Sequence, residues 1–187
     1  MKAVILAGGF GTRLKHTLPN TPKPMADING KPFLQVLVDY LRGKGFDEFV
    51  LSVHYLKEQI IEHFSGQIGV TITIEEEPLG TGGAILHSIK GLSGDVAVIN
   101  GDTFLEIDFA EFWAMHKGEL TVALREVPDT ARYGRVEVDG KKITTFTEKG
   151  LGGKGLINGG NYIVNCEWLH AQKLPEKFSF EADFMKN

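Results

Sequence analysis

The sequence predicts an α/β fold: a Rossmann-like, open and mostly parallel sheet flanked by helices, with a small antiparallel hairpin late in the chain. Three observations predict it. Strand-length apolar runs alternate with segments of helical spacing as far as Glu126, the rhythm of βαβ units. The first run, Ala3-Val4-Ile5-Leu6, opens directly into a glycine-rich loop. Beyond Glu126 the rhythm changes, and an Asp139-Gly140 pair stands between short alternating segments, which is a hairpin signal.

Taken in order, Phe33, Leu34, Leu37, Tyr40 and Leu41 recur at helical spacing, and Gly43 and Gly45 close that helix. Phe49-Val50-Leu51-Ser52-Val53 reads as a short buried strand. Ile60, Ile61 and Phe64 mark a helix, and Val70, Ile72 and Ile74 alternate as a half-buried strand. Gly80 to Ile89 reads as a loop running into a helix, followed by the strand Val96-Ala97-Val98-Ile99. Phe109 to His116 is a further helix, which Asp108 is placed to cap, and Thr121 to Leu124 a further strand. Val136 and Val138, the Asp139-Gly140 turn and Ile143 form the hairpin. Gly150, Gly152, Gly153 and Gly155 then loosen the chain before the strand Leu156 to Val164. No internal repeat or low-complexity tract interrupts this plan. Residues 1–187 therefore read as a single domain, with a nucleotide-binding half over 1–126 and a second-substrate half over 127–187.

The chain has 187 residues, 42% hydrophobic and 24% charged, with 20 basic against 24 acidic side chains. That length suffices for a core. The net charge of −4 argues against nucleic-acid or membrane-surface partners while permitting a local basic pocket. No apolar stretch reaches eighteen residues and no signal-peptide pattern is present. The lone cysteine, Cys166, excludes an internal disulfide framework and suits a reducing cytoplasm. With no activating base nearby in sequence, it reads as filler rather than as a nucleophile.

The chemistry concentrates in Ala7-Gly8-Gly9-Phe10-Gly11-Thr12-Arg13-Leu14 and Thr21-Pro22-Lys23-Pro24-Met25. Glycines at a strand end let phosphates approach backbone N–H groups. Arg13 adds a forked, permanently charged donor and Lys23 a compact ammonium. Together they make a polyphosphate site, although the spacing matches neither GxxxxGK[ST] nor GxGxxG. Asn100-Gly101-Asp102 follows the strand ending at Ile99. Ligands of open α/β sheets sit at such carboxyl ends, so Asp102 is a candidate Mg²⁺ ligand, or else a turn residue.

Glu77-Pro78-Leu79-Gly80-Thr81-Gly82-Gly83-Ala84 is a second glycine-rich turn. Its small residues would let a planar base lie against the backbone, and Thr81 would hydrogen-bond the base or cap the helix; a plain helix start is the other reading. Glu148-Lys149 and Asn158-Gly159-Gly160 fit either a sugar-phosphate site or structural glycines with surface charges.

Together these segments resemble the sugar-1-phosphate nucleotidyltransferase family, with its GGxGTRL…PKPM opening. The likeness runs from Met1 to about Asp183. It also takes in Lys31-Pro32-Phe33-Leu34, Glu77 to Ile85, Arg132-Tyr133-Gly134, Leu156-Ile157-Asn158-Gly159-Gly160 and Lys177-Phe178-Ser179-Phe180-Glu181. The resemblance implies a nucleotide-diphospho-sugar transferase type of fold and the reaction of a nucleoside triphosphate with a sugar 1-phosphate, giving NDP-sugar and pyrophosphate. GTP and D-glycero-α-D-manno-heptose 1-phosphate are the favoured pair. Mannose 1-phosphate with GTP, or N-acetylmuramate 1-phosphate with UTP, is the alternative. A non-catalytic nucleotide-sugar-binding domain is a different class, and a metal-dependent glycosyltransferase another.

By the same resemblance, Leu6, Ala7, Gly8 and Gly9, with Gly80, Thr81 and Gly82, would border the nucleotide. Gly11, Thr12 and Arg13 would hold the triphosphate, Asp102 the Mg²⁺, and Lys23 the space between the two phosphates. Glu148, Lys149, Asn158 and Gly159 would line the sugar site. Relatives supply a second metal-binding Asp from a strand beyond the region where this chain stops. Either the sugar half is shortened at its C-terminus or a neighbouring element replaces the missing part, and a truncated sheet edge would expose apolar surface that favours a homo-oligomer or poor stability. The resemblance also implies a cytoplasmic enzyme of bacterial surface-polysaccharide assembly.

Overall fold

A computed structural model describes residues 1–11, 20–147, 150 and 152–186. In chain order the elements are β1 (Lys2–Leu6), a 3-10 turn (Lys23–Met25), β2 (Asp27–Ile28), β3 (Lys31–Pro32), α1 (Phe33–Gly43), β4 (Glu48–Val53), α2 (Lys57–Phe64) and β5 (Val70–Ile74). There follow α3 (Gly80–Ser88), β6 (Asp95–Asn100), α4 (Phe109–Met115), β7 (Leu120–Val127), β8 (Arg135–Asp139), β9 (Lys142–Phe146), β10 (Gly155–Asn165), α5 (Cys166–Ala171) and a π-helical turn (Phe180–Phe184).

Among the described residues one eight-stranded sheet runs β5-β4-β1-β6-β10-β8-β9, with β7 on the other edge of β10. Strands β5, β4, β1 and β6 pair in parallel. Strand β10 runs antiparallel to β6, β7 and β8, so those three share the direction of the parallel set and the mixed sheet is mostly parallel. Strands β2 and β3 form a separate two-stranded antiparallel sheet, which the sequence reading did not contain.

The inner parallel strands β4, β1 and β6 are buried on both faces, as helices above and below require, whereas the edge strand β5 is partly exposed. Along β1, Ala3 and Ile5 join a core that includes Leu34, Leu41, Ile60, Phe64 and Phe109. Val4 points the other way, to Ile85, Val98, Tyr162, Leu169 and Phe180. Strand β6 divides likewise, Ala97 and Ile99 to the first core and Val96 and Val98 to the second.

Helix α1 ends as a glycine should make it end. Gly45 has φ +90°, its N–H donates to Arg42 O at 3.0 Å, and the Phe46 N–H donates to Leu41 O at 3.1 Å, the paired bonds of a Schellman motif. Asp108 caps α4 as read from the sequence, its Oδ1 accepting from the Glu111 N–H at 3.1 Å. Two details differ from expectation. The β8–β9 hairpin turns on Gly140-Lys141, with Asp139 still paired to Lys142 and Gly140 the residue at positive φ, since glycine accommodates that conformation most cheaply. Helix α5 was not foreseen; it is capped by Asn165, whose Oδ1 accepts from the Trp168 N–H at 2.9 Å.

Strand β10 holds the sheet's two halves together. Leu156 and Ile157 pair with β8, whereas Asn161 to Asn165 pair with β6. The register shifts between Asn158 and Tyr162. Gly159 and Gly160 make that bulge: a β-carbon on Gly159 would lie 2.7 Å from Leu105 Cδ2 and 2.8 Å from Ala123 O, and Gly160 has φ +73°. The backbone of this bulge thus requires glycine at both positions.

Candidate active site

A cleft of about 880 Å³ opens at the carboxyl ends of β1 and β6, where open α/β sheets bind ligands. Leu6 pairs with Asn100, and the Gly101 N–H donates to Leu6 O at 2.9 Å. This fixes the glycine loop after β1 beside the Asn100-Gly101-Asp102 turn. Gly11, at φ +56°, packs against Lys23, its β-carbon position 3.3 Å from Lys23 Cβ. Lys23 then reaches across, and its Nζ lies 2.6 Å from Asp102 Oδ2. The Thr103 hydroxyl donates to the other oxygen, Asp102 Oδ1, at 3.1 Å.

One end of the cleft is built on β4, β5 and the start of α3. Here the sequence reading missed Glu75. It is 6% exposed and lines the cleft, and its Oε1 accepts from Ser52 Oγ at 3.0 Å while Oε2 accepts from the Leu79 N–H at 3.1 Å. A β-carbon on Gly8 would stand 3.1 Å from Glu75 Oε1, so the missing side chain keeps the glycine loop close to this carboxylate. His54 Nδ1–H donates to the Glu75 carbonyl at 2.8 Å, and Phe10 packs edge-on to the His54 ring at 5.5 Å. Glu75 sits within Glu75-Glu76-Glu77, a run that reads as solvated charge. Its position just past a strand end was the available signal.

The other end is formed by Arg125, Tyr133, Asn158, Gly159 and Tyr162, with Glu181 from the π-helical turn. Leu6, Gly8, Gly9, Gly11, Lys23, Gly80, Thr81, Asp102, Asn158 and Gly159 are thus brought to a common wall. Ala7 and Gly82 are not. Ala7 is 1% exposed in the core, its N–H bonded to Ser52 O at 2.8 Å. Gly82 turns its Cα toward the Phe178 ring, which a β-carbon would strike, and its N–H donates to Phe178 O at 3.0 Å. Gly83 is likewise packed against the backbone of Glu176. These glycines admit the C-terminal segment to α3 rather than a planar base.

Thr81 does not cap α3 either. Its hydroxyl donates to Glu181 Oε2 at 2.9 Å and accepts from the Phe180 N–H at 2.9 Å. Thr12, Arg13, Glu148 and Lys149 lie outside the described residues.

For a divalent cation, the donor at hand is Asp102, an exposed carboxylate facing the cleft. Among the described residues no group of three or more His, Cys, Asp or Glu side chains converges on a metal position. One protein carboxylate with phosphate oxygens and water completing the shell is a donor set that fits Mg²⁺. No helix among the described residues is long and apolar enough to cross a membrane.

Residues 2–186 match the model of the nucleotidyl transferase family. Over 191 residues, spanning 100% of this chain and 86% of the relative, the sequence is 43% identical to D-glycero-alpha-D-manno-heptose 1-phosphate guanylyltransferase of Campylobacter jejuni. The protein of the same name from Aneurinibacillus thermoaerophilus is 42% identical over 193 residues, 100% of this chain and 84% of the relative. The crystal structure of HddC from Yersinia pseudotuberculosis complexed with GMP-PN superimposes with a TM-score of 0.86 at 41% identity, covering 98% of this chain and 84% of that one.

Proposed function

This chain belongs to the nucleotidyl transferase family, and we propose that it transfers GMP from GTP to D-glycero-α-D-manno-heptose 1-phosphate, releasing pyrophosphate. The observation that carries this reading is the single cleft in which Lys23 and Asp102, 2.6 Å apart, stand between Glu75 at one end and Asn158 at the other. The full-length likeness to two heptose 1-phosphate guanylyltransferases supplies the substrate pair.

Glu75 gives a chemical reason for guanine. Its oxygens each accept one hydrogen bond from the protein and retain lone pairs. Guanine presents two adjacent donors, N1–H and the N2 amino group, which a carboxylate accepts together. Adenine and the pyrimidines lack that pair.

In the reaction, a phosphate oxygen of the sugar 1-phosphate attacks the α-phosphorus of GTP. The new P–O bond forms as the bond to the pyrophosphate oxygen breaks, in line with the attack. The attacking phosphate is already anionic at neutral pH, so no general base is needed. The requirement is to bring two anions together and to stabilise the leaving charge. Lys23, released from Asp102, is placed for the first task, and the backbone N–H groups of Gly8 to Gly11 cradle the triphosphate. Arg13 and Thr12 act with them, and Glu148 and Lys149 join Asn158 and Gly159 around the sugar; these assignments rest on the motif. Mg²⁺ held by Asp102 would neutralise phosphate charge. Residues 1–126 serve the nucleotide and 127–187 the sugar, in a cytoplasmic enzyme of nucleotide-sugar and surface-polysaccharide synthesis.

The test is to incubate the chain with GTP, heptose 1-phosphate and Mg²⁺ and to identify products by mass spectrometry. GDP-heptose with equimolar pyrophosphate supports the reading. GTP bound but unchanged, with every sugar phosphate supplied, rejects it.

A further inference from the structure

One carboxylate from the C-terminal turn touches both halves of the cleft. Glu181 Oε2 accepts from Thr81 Oγ1 at 2.9 Å, on α3, and Oε1 accepts from the Tyr162 hydroxyl at 2.9 Å, on β10. The Tyr162 oxygen in turn accepts from Asn158 Nδ2 at 2.8 Å, and Asn158 Oδ1 accepts from the Gly160 N–H at 2.9 Å. Tyr162 is 1% exposed. Burial, with the Glu181 charge beside it, raises its hydroxyl pKa, so the proton stays on the phenol.

The direction of every bond in this chain is dictated. An ionised carboxylate only accepts, so the single phenolic proton points to Glu181. The Tyr162 oxygen is then left as an acceptor, which only the NH₂ side of Asn158 can satisfy. A backbone N–H only donates, and Gly160 therefore holds the oxygen side of the same amide. Asn158 is locked in one of its two amide orientations, with one N–H and one oxygen lone pair left for a ligand. A sugar hydroxyl, which both donates and accepts, fits that remainder.

We infer that Glu181, acting through the Tyr162 hydroxyl, is a positioning residue that sets the orientation of the Asn158 amide for the sugar 1-phosphate. This rests on the reading of Asn158 as a sugar-site residue. Neither Glu181 nor Tyr162 touches the reacting phosphates in this account. Without the Tyr162 oxygen, the Asn158 NH₂ loses a buried partner and the amide is held by the Gly160 N–H alone. The cost falls on sugar binding rather than on the chemical step, because an amide held at one end only must be ordered when the sugar arrives.

The experiment compares Tyr162→Phe, Asn158→Ala, Glu181→Ala, Glu181→Gln and the Tyr162→Phe/Asn158→Ala double variant in pyrophosphate release, varying GTP and sugar 1-phosphate separately. Tyr162→Phe removes one oxygen and keeps the ring, so it carries the test on its own should Glu181→Ala fail to fold. The expected result for Tyr162→Phe is a rise in the KM for the sugar phosphate of roughly three- to tenfold, the scale of one hydrogen bond, with the KM for GTP unmoved. Glu181→Gln still offers an oxygen to the Tyr162 O–H and falls back toward wild type relative to Glu181→Ala. The double variant is no worse than Asn158→Ala alone, because the effect passes through Asn158. A sugar-phosphate KM unchanged in Tyr162→Phe, or effects that add fully in the double variant, overturns the inference while wild-type turnover keeps the function. Absence of wild-type turnover with every sugar phosphate rejects the function and this inference together.

Discussion

Lys23 Nζ and Asp102 Oδ2 form an ion pair 2.6 Å long across the mouth of the cleft, joining two residues 79 apart in sequence. Both side chains are a third or more exposed, so the pair is screened and adds little to stability. In the proposed reaction each partner is given up when phosphate arrives. On that proposal phosphate oxygens would compete for the Lys23 ammonium, and a divalent cation for the Asp102 carboxylate.

Replacing either partner should therefore separate activity from stability. Lys23→Ala or Asp102→Asn is expected to lower kcat by roughly 10²–10³, the scale of one lost transition-state charge contact, while the melting temperature stays near wild type. Steady-state pyrophosphate release and calorimetry on the same samples check this. Arg13→Ala, from the same loop motif, should show a kcat loss of the same order.

Glu75→Gln tests the base. The amide presents one acceptor and one donor where the carboxylate presents two acceptors, so one guanine donor loses its partner. A fall in kcat/KM for GTP of roughly five- to a hundredfold is expected, from the 1–3 kcal/mol of a good paired base contact, with a smaller change for ATP. Competition between the two nucleotides in one reaction measures the ratio.

Gly82→Ala distinguishes packing from base recognition. The β-carbon would strike the Phe178 ring, a buried group of the second core. Overpacking of this kind costs about 1–3 kcal/mol. A denaturant midpoint shifted by that amount, with the KM for GTP of the folded enzyme unchanged, is the expected result.

Alkaline pH should destabilise the chain through Cys166. Burial first, and then the Glu167 and Asp95 charges, push its thiol from the ordinary 9.0 up to about 11. A raised folded-state value means the folded state holds its proton longer than the unfolded one. The contribution is intact below pH 9.0 and is lost as pH rises toward about 11. Cys166→Ala should flatten the fall in stability over that window, read by denaturant titration at successive pH values. Thiol reagents should label the wild type at neutral pH only as it unfolds.

What was legible in the sequence was what lies close along the chain. The glycine loop follows β1 directly and Asp102 follows β6 directly, so local order alone placed both at the carboxyl ends of the strands. The Asp108 cap and the Gly45 terminus were legible for the same reason. What was not legible depends on distant partners. Thr81 and Glu181 are 100 residues apart, and no local pattern announces their bond. Gly82 carried a true small-residue signal with the wrong cause, because the group demanding the space is Phe178. Glu75 was hidden among three consecutive glutamates, of which burial selects one. The hairpin turn moved by one residue because strand pairing kept Asp139 in the ladder.

The most direct test of the central claim is the rate of pyrophosphate release with Mg²⁺ for GTP, ATP, UTP, CTP and dTTP against the heptose, mannose and N-acetylmuramate 1-phosphates. Rapid release is expected with GTP and D-glycero-α-D-manno-heptose 1-phosphate, and slower release with every other pair. A faster rate with a different nucleotide or sugar would contradict the assigned substrates, and release with none would contradict the assignment of this cleft as a nucleotidyl transfer site.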